Sequence, residues 1–177
     1  MPSVSEELAS RIAPARERAK ELRETAEKLL VDIAGLCVAA RKSDYVLAAV
    51  KSWESAGACT AIGHSRALDS AGAAFVNGTA AHGEDFDDTF EGGPVHAGAV
   101  VVPAVLAISE RDRLKGADAL AGIAVGCELV CRASLVAPKR IHKAGFHPTA
   151  VLGALGAAAG IATALRFSEE QFVNALG

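Results

Sequence analysis

The stretch AGFHPTAVLGALGAAAGIATAL, residues 144–165, decides the fold class. It carries no formal charge apart from the titratable His147, and most of its residues are alanine or glycine. Its length would span a bilayer, but alanine and glycine drive membrane insertion far more weakly than leucine and isoleucine. Gly156 and Gly160, four residues apart, instead allow a neighbouring helix to approach closely. We therefore predict a buried helix of a soluble protein that begins at Pro148 and ends near Ala164.

The rest of the chain carries further helical patterns. Apolar residues three and four apart, from Leu22 to Cys37, predict helix over the first forty residues, with Pro14 near a helix start. Further helices are predicted after Ser43–Asp44, after Asp69–Ser70, over 97–111, over 117–136 and after Ser168. Each begins or ends at residues that favour helix termini, so the pattern is typical of a chain of packed helices.

Strand signals are weak throughout. No segment shows the alternation of a half-buried strand, and residues 57–64 are predicted to form a loop. We therefore predict an all-α fold, a helical bundle-like domain over residues 1–177 without a linker or repeat. The helix that begins at Ser168 is left hardly three turns long at Gly177, which predicts that the chain is part of a larger domain.

Composition and charge exclude several classes of function. The chain is 51% hydrophobic and 22% charged, which is not a disordered composition. A net charge of -3 argues against a nucleic-acid binder, because such domains are strongly basic along one face. The first twenty residues mix charges and lack an apolar core, so they predict no secretory signal. We expect a cytoplasmic protein without a nucleic-acid or membrane partner.

The cysteines are too few and too scattered for a disulfide scaffold. No paired CxxC pattern for zinc is present, and an iron–sulfur cluster would need clustered thiolates. We interpret them as buried thiols in a reducing compartment: they are Cys37, Cys59, Cys127 and Cys131.

The densest polar cluster is the acidic loop GEDFDDTFEGGPV, residues 83–95. One interpretation is a solvated loop that caps helices. A second is a phosphotransferase motif, since Asp85–Thr89 fits DxDxT, but such a motif follows a hydrophobic strand, and residues 79–84 form no such strand. A third is a magnesium site for a diphosphate, which needs a second carboxylate cluster that this chain lacks. We therefore predict no metal and no cofactor.

Two histidines stand directly before predicted helices. His96 precedes the helix over 97–111, and His147 precedes Pro148, which favours the first helical position. Helix N-termini attract carboxylates and phosphates, and an imidazole there can bind an anion or carry a proton near pH 7. His142 is close to several basic residues and is a candidate for a positively charged entrance that attracts an anionic substrate. His64 and His82 are interpreted as structural.

Two blocks of this sequence together resemble the MmgE/PrpD family. The first runs from NGTAAH at residues 77–82 through DFDDT at 85–89 to His96, followed by Pro103–Ala104 and Glu110. The second is AGFHPT at residues 144–149 with the glycines that follow it. One departure is His96-Ala97-Gly98, where many members have His-Pro-Ser. The family includes 2-methylcitrate dehydratase, which acts in propionate metabolism, cis-aconitate decarboxylase and an iminodisuccinate epimerase.

The resemblance implies a fold, an assembly and a set of site residues. It implies a mostly helical domain joined in family members to a smaller α/β lid, with the active site between them and a homodimeric assembly. It assigns Asp85, His96 and His147 as catalytic residues and Thr89 as a substrate-binding residue, to which we add His142.

The resemblance further implies a metal-independent lyase that acts on a small di- or tricarboxylate. The lid and its catalytic lysine are not encoded in residues 1–177, so we expect no turnover by this chain alone. Two alternatives remain open from the sequence: a non-catalytic helical protein that dimerises, and an epimerase of the same family.

Overall fold

The computed structural model describes all of residues 1–177 and confirms a mostly helical fold. Its helices, named in chain order, are α1 (Val4–Ile12), α2 (Ala15–Arg18), α3 (Arg23–Ala40), α4 (Asp44–Ser52), α5 (Ser70–His82), α6 (Ala97–Arg111), α7 (Gly116–Val136), α8 (Arg140–Lys143), α9 (Pro148–Ala164) and α10 (Glu169–Leu176). A 3-10 helix (Ala19–Leu22) follows α2, and two short strands, β1 (Ala56–Thr60) and β2 (Ala67–Leu68), lie between α4 and α5.

The core is built around α6, which packs against α5, α7 and α9. Helix α6 is apolar on most sides, as is typical of a helix surrounded by protein. Its residues Val101, Val102 and Val105 are completely buried, together with Ile123 of α7. Because α6 begins at the end of the acidic loop, this packing places the loop and His96 against the ends of the neighbouring helices.

Helices α7 and α9 cross at their glycines, as the small-residue pattern predicts. A Cβ atom on Gly126 would lie 2.7 Å from the carbonyl oxygen of Gly156, and one on Gly160 would lie 2.9 Å from the carbonyl oxygen of Gly122. The two backbones are therefore in direct contact. A side chain at these positions would separate α9 from the core, and with it His147 at the start of α9.

Helix α7 is long and apolar enough, by length and composition, to cross a membrane. Half of the residues in its most apolar 18-residue segment are buried inside the fold. The core helix of a soluble protein can be equally long and apolar. Within the alanine- and glycine-rich stretch over 144–165, the residues Pro148–Ala164 form the shorter helix α9.

The prediction that residues 57–64 form only a loop is wrong. Strand β1 pairs antiparallel with β2, with Cys59 opposite Leu68 and Thr60 opposite Ala67. Buried Asn77 of α5 supports this pair, because its side chain donates to the carbonyl oxygen of Thr60 at 2.9 Å and accepts from the N–H of Ile62 at 2.8 Å. The strand contains small residues and only one buried side chain, so it lacks the alternation by which a strand is recognised.

The first forty residues form several helical segments rather than one helix. Helix α1 ends at Ile12, and Pro14 stands immediately before α2. A proline has no N–H to donate and its ring collides with the preceding turn, so the helix must restart there. The predictions of Pro14 near a helix start, Asp69 before α5, Pro148 at the start of α9 and Ser168 before α10 are confirmed.

All four cysteines are free. Burial raises the pKa of Cys37 to about 11 and is the main cause of the rise in the pKa of Cys131 to about 11. These thiols therefore stay protonated at neutral pH and are poor nucleophiles.

One buried carboxylate connects three distant segments. Asp118 in the first turn of α7 is 7% exposed and pairs with Arg16 of α2 and with Arg166, at 3.0 Å, in the turn after α9. Burial by itself would raise the pKa of Asp118, but hydrogen bonds from Arg166 and Arg16 outweigh it and hold the pKa below its usual value. The ionised form is therefore stabilised by folding.

Asp118→Asn is expected to lower the free energy of unfolding at pH 7 by about 2 kcal/mol, since both arginines lose a charged acceptor. The folded pKa lies below the unfolded value of about 3.9, so this contribution is complete above that value and is lost as the pH falls through the folded pKa. Urea unfolding should show a lower free energy of unfolding for the variant than for the wild type at neutral pH, and this difference should disappear at acidic pH.

The matched control is Asp112→Asn, which removes an exposed pair with the adjacent Arg111 and should leave the unfolding midpoint unchanged. An Asp118 effect of the same size at acidic and neutral pH would contradict the electrostatic explanation.

Candidate active site

Three histidines meet where three helices begin or end. His82 is the last residue of α5, His96 precedes α6 and His147 precedes α9. The ring centroids of His82 and His96 are 4.8 Å apart, those of His82 and His147 are 5.6 Å apart, and those of His96 and His147 are 6.0 Å apart. We call these three rings the histidine cluster. Helices α5 and α9 both pack against α6, and this brings the three rings together.

Asp87 lies beneath two of these rings. Its side chain is completely buried, and its carboxylate oxygens lie 3.0 and 3.1 Å from Nδ1 of His82. Oδ2 of Asp87 also lies 3.5 Å from Nδ1 of His96, a buried atom that has no hydrogen-bond partner in the structure, Asp87 included. Asp87 is therefore hydrogen-bonded to the imidazole of His82 and lies close to that of His96.

Asp85 approaches the cluster from the solvent side. Its side chain is 75% exposed, and its Oδ1 lies 3.6 Å from Nε2 of His96. The backbone of Asp85 has a φ of 58°, a left-handed conformation that aspartate tolerates better than most residues. His96 thus has a buried carboxylate facing Nδ1 and an exposed carboxylate facing Nε2.

Asp88 and Thr149 fix the starts of α6 and α9. The Asp88 carboxylate accepts a hydrogen bond from the N–H of Gly98 at 2.9 Å, and a Cβ atom on Gly98 would overlap Oδ1 of Asp88. Glycine at position 98 therefore allows this carboxylate to cap α6. Burial is the largest effect on Asp88 and raises its pKa. The backbone N–H of His96 donates to Oγ1 of Thr149 at 2.9 Å, which ties α6 to α9.

A cavity of about 790 Å³ opens beside the cluster. Its polar lining includes His82, His147 and Thr149, and Phe75 and Val100 contribute to its apolar part. This volume is typical of a site for a small-molecule ligand. The N-termini of α6 and α9 lie at His96 and His147 and contribute partial positive charge there, while the carboxylates of Asp85, Asp87 and Asp88 place negative charge beside it.

Four side chains in this region have the donors that a divalent cation needs. His82, Asp85, Asp87 and His96 each offer one ligand atom, and these atoms lie within 4.8 Å of one another. Mixed imidazole and carboxylate donors suit zinc and similar ions. The sequence analysis predicts no metal because the chain lacks a second carboxylate cluster. In this group, two carboxylates are joined by two imidazoles rather than by further carboxylates.

Comparison with known proteins gives the family. The model of the MmgE/PrpD N-terminal domain matches residues 6–177. The chain belongs to the MmgE/PrpD family. The resemblance predicted from the two sequence blocks is confirmed.

Curated relatives of this MmgE/PrpD chain include cis-aconitate decarboxylases. The Aspergillus terreus protein is 31% identical over 163 residues, which are 87% of this chain and 33% of the relative. The human cis-aconitate decarboxylase is 37% identical over 114 residues, or 59% of this chain and 22% of the relative. The cis-aconitate decarboxylase-like protein oryM of Aspergillus oryzae is 28% identical over 143 residues, or 76% and 30%. The chain thus spans at most about a third of these relatives.

The structure brings together some of the residues predicted for the MmgE/PrpD site. Asp85, His96 and His147 lie in or beside the histidine cluster. Thr89 and His142 are exposed, and their side chains make no hydrogen bond within the chain. Their roles in substrate binding stay predictions.

The sequence prediction missed the contribution of His82 and Asp87. His82 was expected to be structural, but its ring faces the cavity and the two other imidazoles. A signal was present, because His82 lies five residues before Asp87 in the same block that carries the family resemblance. That spacing crosses a helix end, so the contact could not be read from helical periodicity.

Proposed function

We propose that this chain is the helical part of a metal-independent lyase that acts on a small di- or tricarboxylate, with decarboxylation of cis-aconitate as the first candidate. The observation that carries the proposal is the cluster of three imidazoles, two of which stand at the positive ends of α6 and α9, beside a cavity of suitable size. The names of the relatives favour cis-aconitate over 2-methylcitrate, whose dehydration is the second candidate.

The cluster suits the binding of a polyanion. The N-termini of α6 and α9 carry partial positive charge, and protonated His96 and His147 would add full charges beside them. The carboxylates of Asp85 and Asp87, which lie 3.6 and 3.5 Å from the ring nitrogens of His96, offset part of this charge. A substrate carboxylate that displaces the exposed Asp85 would take over its place at Nε2 of His96.

The same imidazoles suit the proton transfer that decarboxylation requires. When the bond to the departing carboxylate breaks and CO₂ leaves, its electron pair passes to the remaining carbon skeleton, which must gain one proton. A neighbouring imidazolium can supply that proton. Dehydration and epimerisation also need a proton removed from or returned to a carbon beside a carboxylate, so the same groups would serve all three reactions.

We propose that the remaining wall of the site comes from other parts of the complete protein. The residues of this chain line one side of an open cavity, and a reaction of this kind needs a site that holds the substrate away from water. We therefore expect a cytoplasmic homodimer, without nucleic-acid or membrane partners, as the active form. The chain of 177 residues alone should self-associate and be inactive.

The test is to assay a complete protein that contains this segment, and the 177-residue chain beside it, with cis-aconitate, 2-methylcitrate and citrate at millimolar concentration. Release of CO₂ from cis-aconitate by the complete protein supports the first candidate, and loss of water from 2-methylcitrate supports the second. A folded complete protein that transforms none of them would favour the non-catalytic alternative. Turnover by the chain alone would contradict the requirement for a second wall.

Exhaustive chelation is expected to leave the activity of the complete protein unchanged, because the imidazoles and helix N-termini supply the positive charge that a metal would otherwise provide. Activity should be measured after dialysis against a chelator, with metal content determined in parallel. Loss of activity that zinc or another divalent ion restores would assign the four donors around His82 and His96 to a metal instead.

A further inference from the structure

The carboxylate of Asp87 is placed between two imidazoles in a way that the proposed reaction does not by itself require. Its side chain is 0% exposed, while those of His82 and His96 are 36% and 12% exposed. Both imidazoles turn the same ring atom, Nδ1, toward Asp87, at 3.0 Å for His82 and 3.5 Å for His96. One buried group therefore faces equivalent atoms of two histidines.

An ionised carboxylate only accepts hydrogen bonds, so a neutral imidazole beside it must carry its proton on the facing nitrogen. With Nδ1 protonated, Nε2 keeps the free electron pair and is the basic atom. Nε2 of His82 makes no hydrogen bond within the chain, and His82 lines the cavity. Nε2 of His96 faces only the exposed Asp85.

We propose that Asp87 is a positioning residue that holds His82 as the Nδ1–H tautomer, and that His82 is thereby a further proton-transfer residue facing the cavity. The assignment of proton transfer to His82 rests on the function proposed above. The tautomer of His82 does not, because it follows from the hydrogen bond between His82 and Asp87 within this chain.

The proposal is tested by ¹⁵N NMR of the histidine rings in the 177-residue chain, at a pH well above the ordinary imidazole pKa of about 6.5. In the wild type, the signals of His82 should show protonated Nδ1 and unprotonated Nε2. His82→Gln and His96→Gln variants assign the signals. A wild-type His82 protonated on Nε2 would overturn the proposal without any variant.

Asp87→Asn keeps the size of the side chain but provides an amide that can donate to Nδ1. Because this amide can donate through its nitrogen or accept through its oxygen, we expect the His82 ring to populate the Nε2–H tautomer in addition to the Nδ1–H tautomer. The matched control is Asp85→Asn, which changes a carboxylate that faces Nε2 of His96 and does not contact His82, and which should leave the His82 tautomer unchanged. A merely structural role of Asp87 would lower the unfolding midpoint without moving the tautomer, and that result would overturn the proposal.

The role of His82 is tested in the complete protein. Asp87→Asn should reduce kcat by up to about ten-thousandfold, the loss that follows replacement of the carboxylate that orients the histidine of a Ser-His-Asp triad, with a much smaller change in KM. His82→Gln should also reduce kcat, by about a hundredfold or more. Normal kcat in His82→Gln would overturn the assignment of proton transfer to His82. If the wild-type complete protein has no lyase activity, the proposed function fails, while the NMR experiment still decides the role of Asp87.

Discussion

Gly126→Ala is expected to destabilise the folded chain by about 3 kcal/mol or more, at the upper end of the effects of overpacking a core. The added Cβ would lie 2.6 Å from Cγ1 of Val101 and 2.7 Å from the carbonyl oxygen of Gly156. Since one of these neighbours is backbone, no rotamer change relieves the contact, and α9 must move away from α7. Urea unfolding followed by circular dichroism measures the effect.

Gly35→Ala is the matched control for this prediction. Gly35 also lies inside a helix, α3, but a Cβ atom there would have no neighbour within 4 Å. Alanine should therefore stabilise the chain by about 0.5–1 kcal/mol, the difference in helix propensity. Equal unfolding midpoints for the two variants would contradict the direct backbone contact between α7 and α9.

His96→Gln is expected to reduce kcat of the complete protein by about a hundredfold to ten-thousandfold, the usual contribution of a general acid or base. Glutamine can form hydrogen bonds in place of the imidazole but cannot gain and lose a proton near pH 7. The ring is central to the proposed site, with Asp87 at Nδ1 and Asp85 at Nε2. Steady-state kinetics with cis-aconitate and with 2-methylcitrate would measure the loss.

His142→Gln provides the comparison for His96. His142 is exposed and lies in the short basic helix α8, so its predicted role is to attract the anionic substrate. Its replacement should raise KM severalfold and change kcat much less, because attraction affects bound substrate and transition state similarly. An equal loss of kcat in the two variants, or an unfolding midpoint lowered by His96→Gln, would contradict the separate roles of these two histidines.

The order of helices was predictable because its signals are local. Pro148 begins α9 because its fixed φ and missing N–H suit the first helical position. Ser168 begins α10 through a capping box with Gln171. The glycines of α9 identify a face without side chains, which has to meet another backbone. None of these features depends on what lies far away in the chain.

The strand pair was less accessible to prediction from the sequence. Strand β1 is recognisable only from its partner β2 and from Asn77, which reaches it from α5. Small residues such as those of β1 carry little intrinsic preference, so pairing and the surrounding core decide their conformation.

The residues of the candidate site also fall into those that the sequence identified and those that only the tertiary structure revealed. Residue type and position beside helix starts identified His96 and His147, and the family resemblance added Asp85. Only the tertiary structure brought His82 to them and placed Asp87 beneath two rings. The reason is geometric: the loop over 83–96 can place its carboxylates in many ways, and the packing of α5, α6 and α9 selects the arrangement in which Asp87 is buried between His82 and His96.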